Sequence, residues 1–418
     1  MFTSFSTALS ALSACTTAVD VVGNNLANLN TPGYKASVVS FRDLVTQSVG
    51  SGLGETQVGF GTGRPFTVRQ FSQGATQSST GVLDAAIQGD GFFMLRDSQG
   101  SLLYTRAGTF QTDATGTLKT LSGETVQGWT EDANGVVDPN APIGDIRVPV
   151  GTLKPPVVTT KFSVNANLNA AAAVGSPEGK LATPIEVIDS LGTSHVLTIT
   201  FTKSGANSWD YSVTIPGADV GDANPTVELA QGNMTFDANG KLLTPDPTAP
   251  AVDVNITGLA DGAADQPMKW NLYDEVGAAR FTQFSQPCAV SSNDQDGSAP
   301  ASLTRVGIAD GGLILAQYSN GQQRVVGRLA MASIRNPESL IAMGNNNFQA
   351  SARTALPAVG LAETGGRGKI LGGSIEASTV DIAKEFTNLI VYQRGYQANA
   401  RVVTAADEIS QETINLKR

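Results

Sequence analysis

Residues 1–30 read MFTSFSTALSALSACTTAVDVVGNNLANLN. The apolar positions fall at Phe2, Phe5, Leu9, Leu12, Cys15, Val19, Val22 and Leu26, spaced by threes and fours throughout. That spacing places one apolar stripe on a helix. The far end repeats the pattern from Asp381 to Lys417, at Ile382, Phe386, Leu389, Tyr396, Ala400, Val403, Ala406, Ile409 and Leu416, with polar Gln393 and Thr413 in two of its slots. Such spacing suits a loosely kept coiled-coil seam. At roughly 1.5 Å per residue the closing helix would be about 55 Å long, too long for a small globular core, so both ends are expected to bury themselves against other helices.

Everything between the ends is written in β and turn residues. Only 15% of the 418 residues are charged and 6% are aromatic, while Gly 45 and Pro 19 supply tight turns. The expected fold class is therefore α+β and mainly β, with terminal helices pairing as a coiled coil around two nested β-rich domains. The expected boundaries are an axial helix over 1–34, an extended or β connector over 35–73, a first β domain over 74–150 and 300–373, an inserted second β domain over 151–299, and a closing helix over 374–418. The first helix should stop at the turn Thr31, Pro32, Gly33, because Pro and Gly in the two central positions favour type II. The connector is rich in glycine, with Gly50, Gly52, Gly54, Gly59, Gly61 and Gly63 close together. Strand composition is clearest in Gly91–Arg96, Leu102–Arg106, Thr125–Trp129, Ile185–Ile188, Val196–Phe201, Tyr211–Ile215, Leu303–Ile308, Leu313–Tyr318 and Arg324–Ile334. Residues 217–226 and 244–251 read as exposed loops.

A net charge of -10 argues against nucleic acid or an anionic membrane surface as partner, since both reward a basic face. No unbroken apolar run of eighteen residues occurs, so no membrane insertion is expected. Leu12, Ser13, Ala14 and Cys15 imitate the approach to a lipidated cysteine, but no Lys or Arg precedes them and Ser and Thr interrupt the apolar core that such a signal needs. Two cysteines cannot form a disulfide framework, and Cys15 and Cys288 do not read as a pair.

Chemistry-bearing constellations are sparse. The single histidine, His195, lies in an alternating strand and reads as a half-exposed sheet residue rather than a catalytic base. No Gly-x-Ser-x-Gly elbow is present, Gly179 and Lys180 lack the rest of a phosphate loop, and zinc ligands have no useful spacing. A formula recurs at Asp97–Leu102, Asp113–Leu118, Asp132–Val137 and Asp237–Leu242: Asp, two residues, Gly, one residue, aliphatic. Here the carboxylate accepts from backbone N–H groups and the Gly takes the left-handed conformation. Calcium is excluded because the alternating ligands and distant Glu of a calcium loop are missing, even at Asn293–Gly297. No catalytic, cofactor or metal residue is expected.

The terminal motifs carry a resemblance. Asn24, Asn25, Leu26, Ala27, Asn28, Thr31, Pro32, Gly33, Tyr34 and Lys35 resemble the opening signature of the bacterial flagellar rod and hook protein family. Asp381, Ile382, Ala383, Phe386, Asn388, Leu389, Ile390, Tyr392, Gln393, Arg394, Tyr396, Gln397, Ala398, Asn399, Ala400, Ala406, Asp407, Glu408, Asn415, Leu416 and Lys417 resemble its closing helix. The interior block Leu83–Phe93, with Tyr104, Thr105, Arg106, Gly108, Phe110, Gly128 and Trp129, is similar to one shared by rod and hook proteins. Tyr318–Gln322 and Asn336–Pro337 look more like the hook members.

The resemblance implies a structural subunit that assembles with copies of itself into a flexible hollow tube, a universal joint carrying motor torque to the filament. It implies no enzyme activity, no cofactor, and assembly through the terminal residues Phe5, Leu9, Leu12, Val19, Val22, Asn24, Asn25, Leu26, Asn28, Thr31, Gly33, Tyr34, Phe386, Leu389, Gln393, Tyr396, Gln397, Asn399 and Val403. The implied partners are the distal rod protein, the hook cap protein, the hook-filament junction protein and the flagellar type III export apparatus. The implied place is the basal body and hook, outside the cell, after export without a cleaved signal peptide. Residues 1–33 hold one charged side chain, Asp20, which suits packing among identical neighbours. An isolated helix of that composition is marginal, so both ends are expected to be largely disordered in the free monomer and to fold on polymerisation. A distal rod or other axial protein would share the ends. A secreted β-rich hydrolase or carbohydrate-binding protein would share only the middle, and helices packed on their own sheet would need no assembly.

Overall fold

A computed structural model of the chain describes residues 2–44, 46–49, 56–132, 136–247 and 251–415. Met1, the connector glycines Gly50, Gly52 and Gly54, residues 133–135 of one predicted Asp turn, residues 248–250 of a predicted loop, and Leu416 and Lys417 lie outside the described residues. The chain divides into two compact units. The first comprises Met1–Val150, Arg305–Gln317 and Gln323–Arg418; the second comprises Gly151–Thr304 and Tyr318–Gln322.

In the first unit, helix α1 spans Phe2–Ala27 and helix α2 spans Ile382–Asn415. Asp381 caps α2, its Oδ1 accepting from the N–H groups of Ala383 and Lys384 at 2.9 and 3.2 Å. The connector is built from antiparallel pairs: Ser37–Ser40 lies on Phe66–Arg69 and Thr46–Val49 on Thr56–Gly59. Segments far apart in sequence then close on one another. Thr76–Ser78 pairs with Ser374–Glu376, Ala85–Gln88 with Lys369–Gly372, and Thr125–Thr130 with Gln323–Leu329 in the register Gly128↔Leu329. The core between these strands holds Phe92, Met94, Tyr104, Trp129, Ala332 and Phe348. Phe71 packs edge-on to both Phe92 and Phe348, at 5.6 and 5.2 Å between centroids. The expected strand Arg324–Ile334 is two strands, Gln323–Leu329 and Met331–Ser333; the second leaves its first partner to pair with Phe92–Phe93 and Ala358–Gly360.

The second unit is a pair of packed sheets. One is an antiparallel meander of Lys180–Ile188, Ser194–Gly205, Ser208–Pro216, Thr226–Phe236 and Leu242–Thr244. The other is mixed around Lys161–Asn169, which runs parallel to Gln266–Asn271 and Phe281–Phe284 and antiparallel to Ala289–Gln295. Strict alternation along Ser194–Gly205 turns His195, Leu197, Ile199, Phe201 and Lys203 inward. Both inner faces meet on Trp270, which is fully buried and ringed by Phe162, Tyr211 and Phe281 with centroids 5.2–6.2 Å away.

The Asp formula behaves as its chemistry requires. Asp97, Asp113 and Asp237 each accept from the N–H groups two and four residues on, at 2.7–2.9 Å, and Gly100, Gly116 and Gly240 have φ of 84, 79 and 77°. Lys119 and the turn's own donors hold the Asp113 carboxyl well below the usual carboxylate range. Two more such turns, at Asp189 and Asp274, lack the final aliphatic residue and were not legible from the formula.

One sequence expectation needs correction. His195 is not half-exposed; its strand alternates as expected, but the phase places it inside. Although no unbroken apolar run exists, Ser4–Ala27 is long and apolar enough to cross a membrane by length and composition, because Ala, Leu and Val outweigh the scattered hydroxyls. In this structure that helix lies against α2 and Ser37–Ser40. The apolar stripes of the two helices are covered only in part.

Because Trp270 joins both sheets, Trp270→Ala is expected to destabilise the second unit by about 3–5 kcal/mol. Urea unfolding followed by circular dichroism checks this; a loss under about 1 kcal/mol would place the core elsewhere.

Candidate functional site

The two chain ends meet at a joint built from the opening signature. Pro32 sets the turn and Gly33 takes φ 70°, with the Tyr34 N–H donating to the Thr31 carbonyl at 3.2 Å. A Cβ on Gly33 would stand 2.6 Å from the Ala107 nitrogen, so this position needs glycine for two reasons. Past the turn, the side-chain amide of Asn25 clamps the backbone of Ser37 from both sides: Oδ1 accepts its N–H at 3.0 Å and Nδ2 donates to its carbonyl at 2.8 Å. Nδ2 also donates to Glu385 of α2 at 3.1 Å, and the Tyr34 hydroxyl donates to Asn25 Oδ1 at 3.3 Å. Tyr34 is buried, which pushes its hydroxyl pKa up and keeps it a donor at neutral pH.

Beneath the joint lies a fully desolvated carboxylate. Glu376 Oε1 accepts from Lys35 Nζ at 2.6 Å and from the Gly74 N–H at 2.8 Å, and Oε2 faces Arg106 at 3.5 Å. The Lys35 and Glu376 side chains have no solvent exposure and Arg106 has 4%. Lys35 also donates to the Ser72 carbonyl at 2.6 Å, and Arg106 to the Gly89 carbonyl at 2.8 Å. Burial lowers the pKa of both cations, and Glu376 opposes that shift in each. Lys35 and Arg106 were visible as charges inside the motifs. Glu376 and Glu385 were missed; the only signal for them was the need of two buried cations and a buried amide for anionic partners.

Above the joint, α1 and α2 run antiparallel. Asn25 meets Glu385, Cys15 Sγ sits 3.4 Å from where a Cβ on Gly395 would be, and Thr16 and Val19 share a groove with Gln393, Tyr396 and Gln397. The buried and half-buried positions of α2 are Glu385, Asn388, Leu389, Tyr392, Gly395, Asn399, Ala400, Val403, Ala406 and Ser410. On α1, Ala8, Ala14, Ala18, Val22 and Asn25 are buried, and the stripe residues Leu12, Cys15, Val19 and Leu26 are half-buried. The pair thus covers small and polar side chains together with part of each stripe, Leu12, Val19, Val22, Leu389 and Val403 among them, and leaves the rest of the stripe outside. Small side chains let two backbones approach closely, and they displace bulky ones to the outside. Phe5, Leu9, Ile382, Phe386, Tyr396 and Ile409 are 42–56% exposed.

The residues expected to serve assembly therefore divide. Asn25, Gly33 and Tyr34 are buried inside the joint, where Asn24, Asn28 and Thr31 add hydrogen bonds within the turn. Val22 is buried, and Leu12, Val19, Leu26, Leu389, Asn399 and Val403 are partly covered. Phe5, Leu9, Phe386, Gln393, Tyr396 and Gln397 face outward.

Removing one member of a buried ion network leaves its partners unpaired, so Glu376→Gln is expected to cost about 3–5 kcal/mol and Lys35→Met somewhat less, because Arg106 still faces the carboxylate. The double substitution should cost less than the sum, since the groups share one network. Denaturant midpoints of all four proteins check this; additive losses would mean the groups are not coupled.

Four family descriptions match this chain. Residues 5–35 match "Flagella basal body rod protein", residues 86–167 "Flagellar hook protein FlgE/F/G D1 domain", residues 163–298 "Flagellar basal body protein FlaE D2 domain", and residues 371–416 "Flagellar basal body rod FlgEFG protein C-terminal". The flagellar hook protein FlgE of Escherichia coli K12 is 31% identical, with 99% of this chain and all of that protein covered. FlgE of Salmonella typhimurium is 32% identical over 99% of this chain and FlgE of Borreliella burgdorferi 31% over all of it, each covered in full. The crystal structure of Helicobacter pylori flagellar hook protein FlgE2 shares the fold with a TM-score of 0.53 at 14% identity, covering 71% of this chain and 99% of that one. With its whole length accounted for by such relatives, and with the joint formed by the very motifs that opened and closed the sequence, the chain belongs to the flagellar hook protein family.

Proposed function

We infer that this hook subunit works by assembling with copies of itself, through the outward faces of α1 and α2, into a flexible hollow tube that transmits motor torque. The single observation carrying this reading is the uncovered part of the apolar stripes: Phe5, Leu9, Phe386, Tyr396 and Ile409 are left in water. A monomer gains nothing from that arrangement, whereas neighbouring copies that cover these side chains gain about 25 cal/mol for each Å² of apolar surface removed from water.

On this reading the helices form a loosely kept coiled coil lining the channel, and the β units slide against those of neighbours as the tube bends. The helix pair covers little of its own apolar surface, so both ends of the dilute monomer are in large part unfolded and become ordered in the lattice. The distal rod protein, the hook cap protein and the hook-filament junction protein are the proposed contacts at the tube's ends. Export through the flagellar type III apparatus, without cleavage of a signal, is the proposed route. The protein acts by shape and contact, without a catalytic step.

Leu9→Asp combined with Phe386→Asp is expected to leave the stability of the β units within about 0.5 kcal/mol of the parent, while abolishing tube formation in vitro and swimming in a strain carrying only the variant. Curved tubes of normal length from this variant would sink the reading. NMR of the dilute parent monomer should show helical shifts for few residues of 2–27 and 382–415; full helicity there would remove the coupled folding but leave the assembly surface standing.

A further inference from the structure

His195, the chain's single histidine, lies at one end of the second unit with a carboxylate on each ring nitrogen. Nε2 is 3.2 Å from Asp189 Oδ2 and Nδ1 is 3.2 Å from Asp219 Oδ2. A neutral imidazole has one N–H. Whichever nitrogen carries it, the other presents a lone pair to an anionic oxygen at contact distance, which is repulsive unless a cation stands between them. The imidazole is 6% exposed and the Asp189 side chain 0%, so water does little to relieve that repulsion.

The surroundings sharpen the demand. Single ligand atoms of Asp189, His195 and Asp261 all lie within 4.8 Å of one another. With Asp219 that makes three carboxylates around one imidazole. A second proton on the ring would answer one of these charges and leave Asp261 beside Asp189 uncompensated.

The donors are also preorganised. Asp189 Oδ1 is engaged by the N–H groups of Leu191, Gly192 and Thr193 at 2.6–2.8 Å, which fixes the carboxylate and leaves Oδ2 for a ligand. His195 begins the strand Ser194–Gly205, Asp219 lies in the helical turn Gly217–Val220, and Asp261 lies on the loop before Gln266–Asn271. Two hydrogen bonds tie that loop down, Ala260 N–H to the Asp219 carbonyl at 2.9 Å and Ala264 N–H to Ser190 Oγ at 3.0 Å. Asp261 is exposed, which leaves a mouth for entry.

We propose that His195 Nε2, Asp189 Oδ2 and the Asp261 carboxylate bind a divalent transition-metal cation of the zinc type, with Asp219 orienting the imidazole through Nδ1–H. The 3.2 Å spacing of Nε2 and Oδ2 is close to the about 3.4 Å edge of a tetrahedron whose centre is about 2.1 Å from each ligand. A carboxylate on the non-ligating nitrogen is the usual second partner of a metal-bound histidine, and it sets the tautomer. Imidazole with two carboxylates suits zinc or its first-row neighbours better than calcium or magnesium, which prefer oxygen alone. Bound there, the ion joins the three loops that close this end of the unit.

The test uses full-length protein freed of metal with a chelator, and Zn2+ alone as probe. Calorimetry should show one equivalent bound at about 1 µM or tighter. Asp261→Asn, at an exposed position, should fold normally and bind at least tenfold more weakly, and Asp219→Asn should lose about 10–100-fold. Because the chain has one histidine, 15N NMR of the ring follows a single residue: on Zn2+ addition Nε2 should shift as a metal ligand while Nδ1 keeps its proton. Absence of stoichiometric binding, binding unchanged in Asp261→Asn, or a ring that stays doubly protonated and indifferent to Zn2+ would each overturn the site.

Discussion

A carboxylate without water must have its charge answered by its neighbours, and Glu376 is such a carboxylate. Its partners come from residues 35, 74 and 106, so its burial requires that the end of the N-terminal signature, the start of the first β segment, an interior hairpin and the approach to the closing helix all converge. The Lys35–Glu376 bond spans 341 positions of sequence. Buried ion networks of this kind contribute little net stability compared with apolar packing, but a wrong arrangement that strands one charge is strongly disfavoured. The network thereby selects one way for the ends to meet. Gly33 donates its N–H to the Glu376 carbonyl, Asn25 clamps Ser37 and reaches Glu385, and the direction of both helices follows from that anchorage.

What the anchorage leaves open is as informative as what it closes. Near the joint the helices are held by directional polar bonds; farther along Cys15 lies against Gly395, and Phe5, Leu9, Phe386 and Ile409 stay outside. Directional bonds at one end with apolar side chains left exposed beyond it make a helix pair whose open face is the surface proposed for assembly. The β units carry the opposite signature. Their aromatic clusters around Trp270 and around Phe348 are closed, with rings packed edge-on on several sides, and owe nothing to another copy.

The same contrast governs what was legible. The turn at Thr31–Gly33, the Asp turns and the alternating strands of the second unit were readable because each is a local event in which the deciding groups lie within a few residues. Asp189 and Asp274 escaped only because the formula asked for an aliphatic residue that the turn does not use. The phase of a strand is harder. His195 alternates correctly whichever face is inward, and its placement inside depends on Asp189 and Asp219 arriving from two other segments.

By itself the sequence determined where helices and strands form, that both ends carry apolar surface at helical spacing, and, through the signature motifs, the family. Periodicity is a property of one segment, so it reports that a face is apolar and not what covers it. Only the tertiary structure decided which part of each stripe is covered and that Phe5, Leu9 and Phe386 turn outward, that Glu376 is the group the motif lysine and arginine serve, and that the single histidine is enclosed by carboxylates. Each of those outcomes is a contact between residues distant in the chain. Long-range contacts are chosen by the simultaneous satisfaction of packing and buried charge, which no single stretch of residues contains.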